Sequence, residues 1–190
     1  MRGRRAIVAG ADSQVGISLA TALVDAGYDV IRTSRRYRSR QENPEIRYLD
    51  FASLDGLDGL PAADWTFIVA SETRISECLQ DPELTTQINC VAPIEIGKRQ
   101  ASMGGRVFFF SSIAVHGGRL PNPTETDLPT PATLYGQQKR DAEVGLLDAG
   151  IEPILLRTAK VIGPGFALFD HWRAVLRRGQ TVTPFSDMYV

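Results

Sequence analysis

Short apolar runs alternate along this chain with longer segments of mixed polarity. The runs at 6–9, 28–31, 67–70, 107–110 and 154–156 have the length of strands, and 46–49 is a weaker sixth candidate. Several of them are apolar throughout, which is typical of parallel strands that are buried on both faces. The alternation therefore predicts an α/β fold, a doubly wound parallel sheet with helices on both of its faces.

Three longer segments have the spacing of amphipathic helices. They are residues 14–26, which end at Gly27, residues 82–102, which contain Pro93, and residues 133–149, which end at Gly150. A proline inside a helix removes one backbone hydrogen bond, so Pro93 is expected to kink or delay the second helix. The segment 117–133 holds four of the eleven prolines, which indicates an ordered loop or lid.

Charge and cysteine content exclude several classes of protein. The 21 basic and 22 acidic side chains leave a formal charge of −1, so there is no global electrostatic reason to bind nucleic acid or a membrane surface. Cys78 and Cys90 have no metal-ligand spacing, which argues against a zinc site and fits a reducing cytoplasm. The N-terminal apolar run 6–9 is shorter than a secretory signal or a membrane span. We therefore expect a cytoplasmic protein with no metal, nucleic-acid or membrane partner.

A turn that contains two glycines follows the first predicted strand. The sequence Gly10-Ala-Asp-Ser-Gln-Val-Gly16 leads from that strand into the first helix. Glycines let the backbone approach a pyrophosphate, and the helix N-terminus offers free N–H groups and a partial positive charge. A tight turn with close helix packing would also explain both glycines, but the position after the first strand favours a dinucleotide site. The expected cofactor contacts in this turn are Gly10, Asp12, Ser13, Gln14, Val15 and Gly16.

A cluster of arginines follows the second predicted strand. Its members are Arg32, Arg35, Arg36, Arg38 and Arg40. A solvated loop or part of a nucleic-acid patch is the alternative interpretation, but in a doubly wound sheet this strand tip lies beside the adenosine ribose of a dinucleotide. NAD-dependent proteins place a carboxylate there, whereas the 2′-phosphate of NADP needs guanidinium and hydroxyl donors. Ser34, Arg35 and Arg36 occupy the tip, and no carboxylate precedes Glu42, so NADP(H) is favoured over NAD(H).

Tyr135 and Lys139 stand four residues apart in a predicted helix, so they share one face. Bringing a phenol from its usual pKa of about 10 to near neutrality requires roughly 4 kcal/mol. One cation about 4 Å away supplies roughly that amount at an effective dielectric constant of about 20. Taken alone, such a pair is as easily a surface contact. Ser112 follows the predicted strand 107–110, where its hydroxyl can orient a substrate carbonyl or cap a helix.

The combination of these motifs resembles the short-chain dehydrogenase/reductase superfamily. Its parts are the turn Gly10–Gly16, the sequence Ser111-Ser-x-x-x-x-Gly117 and the pair Tyr135-x-x-x-Lys139. The chain is more similar to the extended branch, the NAD(P)-dependent sugar epimerases, dehydratases and reductases. Further matches, spread over nearly the whole chain, are Asp50, Asn89, residues 110–117, Glu125-Thr-Asp127, Leu156-Arg157 and Gly163-Pro164. The resemblance implies a Rossmann fold and a dinucleotide cofactor.

The resemblance also implies a role for each matching residue. Tyr135 would be the general acid or base, Lys139 would hold the nicotinamide ribose and lower the pKa of Tyr135, and Ser112 would orient the carbonyl. Besides the turn and the strand-tip residues Ser34, Arg35 and Arg36, the cofactor contacts would be Asp50 and Phe51 at the adenine, with Ala70, Ser71 and Asn89. Two residues depart from the family pattern. Ser13 replaces the usual middle glycine of the turn, and Lys160 replaces an asparagine found in many relatives.

The residues after Ser112 discriminate between reactions of the extended branch. In 4,6-dehydratases an Asp-Glu pair follows the catalytic serine or threonine, whereas this chain has Ile113-Ala114, which cannot move a proton. The sequence Asn89-Cys-Val-Ala-Pro93 is similar to the corresponding helix of dTDP-4-dehydrorhamnose reductases, and a preference for NADPH favours net reduction. We therefore predict an enzyme that reduces a keto group of a nucleotide sugar with Tyr135 as general acid. A nucleotide-sugar epimerase is the alternative.

Members of the extended branch are longer than 190 residues, and their sugar-nucleotide pocket lies beyond the dinucleotide domain. We predict a dinucleotide-binding domain at 1–165 and the start of a truncated substrate-binding region at 166–190. If the chain is complete, a small substrate or a non-catalytic cofactor-sensing module is the alternative, although the intact Ser112, Tyr135 and Lys139 favour an enzyme. The resemblance further implies a homodimer formed through the helices at 82–102 and 133–149.

Overall fold

The computed structural model describes residues 4–36, 45–118, 122–163 and 167–182. The chain divides into two compact units, Met1–Thr158 and Ala159–Val190. Arg38 and Arg40 of the predicted arginine cluster lie outside the described residues. The domain boundary expected after residue 165 stays a prediction.

The first unit is built on a six-stranded sheet. Its strands are β1 (Arg5–Ala9), β2 (Asp29–Ser34), β3 (Ile46–Tyr48), β4 (Trp65–Ile68), β5 (Arg106–Ser112) and β6 (Ile154–Thr158). They lie in the order β3-β2-β1-β4-β5-β6, and every neighbouring pair is parallel. The strand order reverses between β1 and β4, so the carboxyl ends of these two strands border the crevice where such sheets bind ligands. The predicted doubly wound Rossmann-type fold is confirmed, with a strand at each of the six predicted positions.

Six α-helices are found within the described residues. They are α1 (Gln14–Asp25), α2 (Ile75–Gln80), α3 (Pro82–Thr86), α4 (Ala92–Ser102), α5 (Leu134–Asp148) and α6 (Ala167–Arg177), with a 3-10 turn at Ile113–His116. α1 and α5 match the predicted helices at 14–26 and 133–149. The apolar pattern does not predict α2, the 3-10 turn or α6. In α2 the reason is plain, because Cys78 is buried while Ile75 and Leu79 stay exposed.

The predicted helix 82–102 is helical throughout, but it is not a single α-helix. Residues Gln87–Val91 form a turn of π-helix between α3 and α4, in which the Ala92 N–H donates to the carbonyl of Gln87. Pro93 has no N–H to offer the carbonyl four residues earlier, and the wider turn ends just before it. The expected disruption is therefore confined to this turn, which holds the fully buried Asn89.

The two faces of the sheet are packed by different helices. On one face, Ile7 and Phe109 pack with Ile96 of α4 and Leu146 of α5. On the other face, Val8 of β1 packs in a second cluster that includes residues of α1. Successive strand residues point to opposite faces, so both faces of β1 must be apolar. This is why its residues 6–9 are fully buried and apolar without alternation.

The second unit contains α6, whose Arg173 pairs with Asp170 at 3.1 Å. Within the described residues, none of the helices has the length and apolar character needed to cross a bilayer. The same residues contain no cluster of three or more His, Cys, Asp or Glu side chains placed to hold a metal ion.

Candidate active site

The turn between β1 and α1 is closed by one of its own side chains. Gly10 has a φ of +97°, and a Cβ there would come within 2.6 Å of the Cβ of Ala70. The Ser13 Oγ donates to the carbonyl of Gly10 at 2.9 Å and accepts from the N–H of Gly16 at 3.0 Å. Ser13 thus caps α1 and ties the turn together, at the position where the resemblance implies a glycine.

Close packing requires the second glycine of this turn as well. A Cβ on Gly16 would collide with the carbonyl oxygen of Gly10. The N–H of Gly10 in turn donates to the buried Thr33 Oγ1 at 3.2 Å, which fixes the turn to β2. Thr33 is a residue that the motifs do not indicate, because its role depends on the pairing of β1 with β2.

A cleft with a volume of about 210 Å³ lies beside this turn. The predicted cofactor residues that line it are Gly10, Asp12, Ser13, Ser34, Arg35, Arg36, Asp50, Phe51, Ala70 and Ser71. Leu49, Glu72 and Ile88 also line it, although no motif indicates them. The predicted contacts Gln14, Val15, Gly16 and Asn89 are not among its lining residues, and neither are Ser112, Tyr135 and Lys139.

Charged side chains pair across the opening of the cleft. The Arg36 Nε lies 3.0 Å from Asp12 Oδ2, with 71% of the Arg36 side chain exposed. The hydroxyl of the buried Ser34 accepts from the Arg36 N–H at 3.0 Å and shapes the end of β2. On the wall formed after β4, hydrogen bonding from Arg74 holds the pKa of Glu72 below its usual range. The tip of β2 therefore offers exposed guanidinium groups beside carboxylates.

Ser112 and Tyr135 lie next to each other at the carboxyl end of β5. Ser112 is the N-cap of the 3-10 turn, and its Oγ accepts from the Ala114 N–H at 3.2 Å. Tyr135 lies in the first turn of α5, and burial raises the pKa of its phenol. Hydrogen bonding with the hydroxyls of Ser71 and Ser112 opposes that rise, but the effect is smaller. The phenol is therefore protonated at neutral pH.

Lys139 lies over the ring of Phe109. Its side chain is almost fully buried, and its Nζ is 4.1 Å from the ring centroid, a favourable cation–π distance. Nζ has no hydrogen-bond partner among the described residues. Burial lowers the pKa of Lys139 to about 7, against the attraction of the Glu143 carboxylate.

The expectation that Lys139 lowers the pKa of Tyr135 stays a prediction. Lys139 is not among the groups that shift the pKa of the phenol, which burial raises. A spacing of four residues places both side chains on one face of α5, but it does not set the direction of a long lysine side chain. Here the ammonium lies on Phe109, and it is itself partly deprotonated near neutral pH.

Asn89 supports the cleft from behind. It is fully buried, it accepts from the Ser71 hydroxyl at 2.8 Å, and it binds both main-chain groups of Glu72. Ser71 thus connects three parts of the site, because it lines the cleft, contacts Asn89 and reaches Tyr135.

A buried ion pair ties α5 to β6. Arg157 donates to both carboxylate oxygens of Glu143, at 3.0 and 2.7 Å, and the Ser111 hydroxyl also donates to this carboxylate. The Arg157 Nη1 lies 3.2 Å from His116 Nε2. The pair fixes α5, which carries Tyr135, to the strand ends. In the sequence analysis, this ion pair was indicated only by the resemblance to the family at Leu156-Arg157.

Comparison with known protein families gives a match over almost the whole chain. The model of the NAD dependent epimerase/dehydratase family matches residues 6–187. This range includes the glycine turn, Ser112, Tyr135 and Lys139.

Two curated relatives illustrate the range of similar proteins. Methionine adenosyltransferase 2 subunit beta of Rattus norvegicus is 26% identical over 160 residues, which cover 84% of this chain and 48% of that protein. The dTDP-4-dehydrorhamnose reductase of Salmonella typhimurium is 27% identical over 122 residues, or 63% of this chain and 41% of the enzyme. The chain therefore spans about half the length of the curated relatives it matches.

Solved structures share the fold. A dTDP-4-dehydrorhamnose reductase from Bacillus anthracis in complex with NADP has a TM-score of 0.76 at 19% identity, covering 94% of this chain and 61% of the enzyme. A UDP-galactose 4-epimerase has a TM-score of 0.75 at 25% identity, covering 92% of this chain and 63% of the epimerase. Reductases and epimerases thus share this architecture.

Proposed function

The chain belongs to the NAD dependent epimerase/dehydratase family, and on that premise we propose that it is an NADP(H)-dependent reductase of keto groups in nucleotide sugars. It is related to dTDP-4-dehydrorhamnose reductase and to sugar epimerases of the extended short-chain dehydrogenase/reductase type. One observation carries the proposal. Tyr135 is a phenol that burial keeps protonated, and it lies beside Ser112 and next to the cleft at the Gly10 turn.

The residues of the cleft fit a dinucleotide with a 2′-phosphate. Gly10, where a Cβ would collide with Ala70, would hold the pyrophosphate together with Ser13. Arg35 and Arg36 would bind the 2′-phosphate. Lys139 would bind ribose hydroxyls, which would give its buried Nζ the partners that the described residues do not supply. Asp50 and Phe51 would contact the adenine at the far wall of the cleft.

The side chains of this chain would provide the proton and the orientation of the substrate. Bound NADPH supplies the hydride. Tyr135 holds a proton at its phenol oxygen and gives it to the carbonyl oxygen of the sugar as general acid. Ser112 donates a hydrogen bond to the same oxygen and stabilises the negative charge that develops there. The raised pKa of Tyr135 suits this direction, because a neutral phenol can donate and a phenolate cannot.

The proposal is tested by incubating the full chain with NADPH or NADH and a panel of dTDP- and UDP-linked keto sugars. We expect steady oxidation of NADPH with at least one member of the panel and slower oxidation of NADH. Binding of NADPH without turnover of any keto sugar would contradict the reductase.

Two alternatives have observations of their own. The likeness to UDP-galactose 4-epimerase favours an epimerase, which would change the stereochemistry of a nucleotide sugar without net consumption of cofactor. The rat relative is named as a subunit of a methionine adenosyltransferase, which favours a non-catalytic module. Such a module would bind the dinucleotide equally well after Tyr135→Phe and would turn over no sugar. Analysis of the sugar products by NMR separates the three functions.

A further inference from the structure

Two adjacent glutamines lie between Tyr135 and Lys139 in α5. Gln137 is exposed, whereas Gln138 is buried. An exposed glutamine can keep its hydrogen bonds with water, but a buried one needs partners within the protein. The roles proposed for Tyr135 and Lys139 use neither glutamine, so the partners of Gln138 indicate what its buried amide does.

The amide of Gln138 joins two parts of the first unit. Its Oε1 accepts from Asn89 Nδ2 at 2.8 Å, and its Nε2 donates to the hydroxyls of Thr85 and Thr86 at 3.0 and 3.1 Å. The Thr85 hydroxyl gives its own proton to the carbonyl of Asp81 at 2.8 Å, so it can accept from Gln138. A rotated Gln138 amide would set donor against donor at Asn89, and the orientation is therefore fixed.

Asn89 extends this contact to the segment that follows β4. Its Oδ1 accepts from the Ser71 hydroxyl and from the Glu72 N–H, each at 2.8 Å. Its Nδ2 donates to the Glu72 carbonyl at 2.9 Å and to Gln138. These four bonds use the full capacity of a fully buried amide. Without Gln138, one N–H of Asn89 would lose its acceptor, and the Cys78 Sγ at 3.9 Å is too weak to replace it.

Ser71 and Glu72 both line the cleft beside the Gly10 turn. We propose that Gln138 is a positioning residue of the cofactor site, which holds the Asn89 amide in the orientation that fixes the Ser71–Glu72 wall of this cleft. One amide on α5 thereby links the wall to the helix that carries Tyr135. The inference rests on the proposed function only for the identity of the ligand, because the hydrogen bonds exist without one.

A purely structural role for Gln138 is the alternative. Thr85 and Thr86 end α3, so the bonds to their hydroxyls anchor α5 to α3 and contribute to stability. That contribution alone would leave the wall and the affinity for a ligand unchanged. Gln138→Met keeps a side chain of similar volume and removes the amide. Gln137→Met is the matched control, because it removes the same group from the exposed neighbouring position.

The first measurement is backbone amide hydrogen exchange, followed by NMR on the full chain without cofactor. The Glu72 N–H donates to Asn89 Oδ1, so its exchange rate reports on the wall. Gln138→Met should accelerate this exchange roughly 10-fold relative to the N–H of Ile7 in the central strand β1. Gln137→Met should leave the ratio unchanged. Equal acceleration at Glu72 and Ile7, or no acceleration at Glu72, would overturn the proposal.

If Gln138→Met does not fold, the side-chain amides of the parent chain decide. Both Nδ2 protons of Asn89 are donated, one of them to Gln138. We expect both to exchange at least about 10-fold more slowly than the side-chain amide protons of Gln137. An Asn89 proton that exchanges as fast as those of Gln137 would exclude the contact on which the proposal depends.

The second measurement is the Kd of NADPH from a fluorescence titration. Gln138→Met should raise this Kd roughly 3-fold to 10-fold, and Gln137→Met should not change it. In the background of Asn89→Ala, Gln138→Met should have no further effect on the Kd, although it should still lower the Tm through the lost bonds to Thr85 and Thr86. The same increase in Kd in both backgrounds, or an unchanged Kd in Gln138→Met, would contradict a role through Asn89.

The two measurements separate this proposal from the proposed function. A parent chain that binds no NADPH would contradict the dinucleotide site, whereas the exchange of the Glu72 N–H would still decide the role of Gln138. Faster exchange at Glu72 in Gln138→Met would then support the positioning role for a cleft with a different ligand. Unchanged exchange would exclude that role whether or not NADPH binds.

Discussion

Two regions of this site are built from different kinds of interaction. The arginine region, consisting of Asp12, Arg35 and Arg36, carries exposed charges that pair at the opening of the cleft. The tyrosine region, consisting of Ser112, Tyr135 and Lys139 with Asn89 behind them, is largely buried, and its groups have shifted pKa values or fixed hydrogen bonds. Ser71 connects the two, because it lines the cleft and reaches the phenol.

Under the proposed function, the arginine region would recognise the cofactor and the tyrosine region would carry out the proton transfer. Exposed charges lose most of their interaction energy to water and salt, so the arginine region can select a ligand only by modest amounts. Buried groups cannot be screened in this way, and their protonation depends on a few fixed neighbours. We therefore expect large effects that are insensitive to salt in the tyrosine region and smaller, salt-dependent effects in the arginine region.

The largest expected effect follows from removing the phenol hydroxyl. Tyr135→Phe should reduce turnover by at least about 100-fold, since it removes the general acid, while leaving NADPH affinity nearly unchanged. The matched control is Tyr28→Phe, which removes a hydroxyl from a ring that packs on Trp65. Steady-state kinetics and cofactor fluorescence measure the two quantities. Turnover by Tyr135→Phe within tenfold of the parent would remove Tyr135 from the role of acid.

Replacing both arginines of the arginine region removes the groups that are proposed to bind the 2′-phosphate. Arg35→Ala with Arg36→Ala should weaken NADPH roughly 10-fold to 100-fold and NADH much less, because only NADPH carries the 2′-phosphate. Arg32→Ala on β2 is the control, since Arg32 pairs with Glu45 and does not line the cleft. Binding at low and high salt should show that the preference for NADPH shrinks as salt rises. A parent chain that binds NADH as tightly as NADPH would contradict the assignment.

The fold could be predicted because its strands are apolar on both faces. In β1 the residues of both faces are fully buried, so residues 6–9 form a continuous apolar run in the sequence. The short helical elements have no such apolar pattern. α2 buries Cys78 while Ile75 and Leu79 stay exposed, and an apolar spacing does not distinguish the π-helical turn at Gln87–Val91 from α-helix.

The candidate site shows the same limit. The glycine turn and the residues at the tip of β2 were predictable, because local sequence and strand order suffice to place them beside one cleft. The surroundings of Lys139 were not, since its contact with Phe109 depends on how α5 packs against β5. The bonds that join Asn89 to Ser71 and Gln138 connect residues far apart in sequence, and no spacing rule indicates them.

A smaller effect concerns the stability of the tyrosine region. Burial lowers the pKa of Lys139 to about 7, whereas in the unfolded chain the lysine keeps its ordinary pKa of 10.5. Between these values the unfolded chain binds the extra proton, so the free energy of unfolding should rise with pH, by up to about 1.4 kcal/mol per unit. Denaturant unfolding in the absence of cofactor, from pH 7 to pH 8.5, measures this slope.

Lys139→Met should abolish this contribution to the slope. The range ends below pH 9 because burial also raises the pKa of the Cys78 and Cys90 thiols. Their effect has the opposite sign, since the unfolded chain loses those protons first as the pH rises. Lys98→Met is the matched control, because it removes an exposed lysine that pairs with Glu95. Equal slopes in the parent and in Lys139→Met would show that Lys139 does not carry the buried titration.

The smallest expected effect is the change in NADPH affinity when the ion pair between Asp12 and Arg36 is removed. Asp12 holds Arg36 at 3.0 Å, but the Arg36 side chain is 71% exposed, so breaking the pair should change NADPH affinity by less than about fivefold. Asp12→Asn should tighten NADPH, since it frees Arg36 for the 2′-phosphate and removes a negative charge beside the pyrophosphate turn. Asp25→Asn removes the same charge at the other end of α1 and serves as control. The gain should vanish at high salt, because screening already weakens the ion pair there. Weaker binding of NADPH by Asp12→Asn would instead mean that Asp12 positions Arg36 for the phosphate, and the exposed pair would then act as part of the binding site.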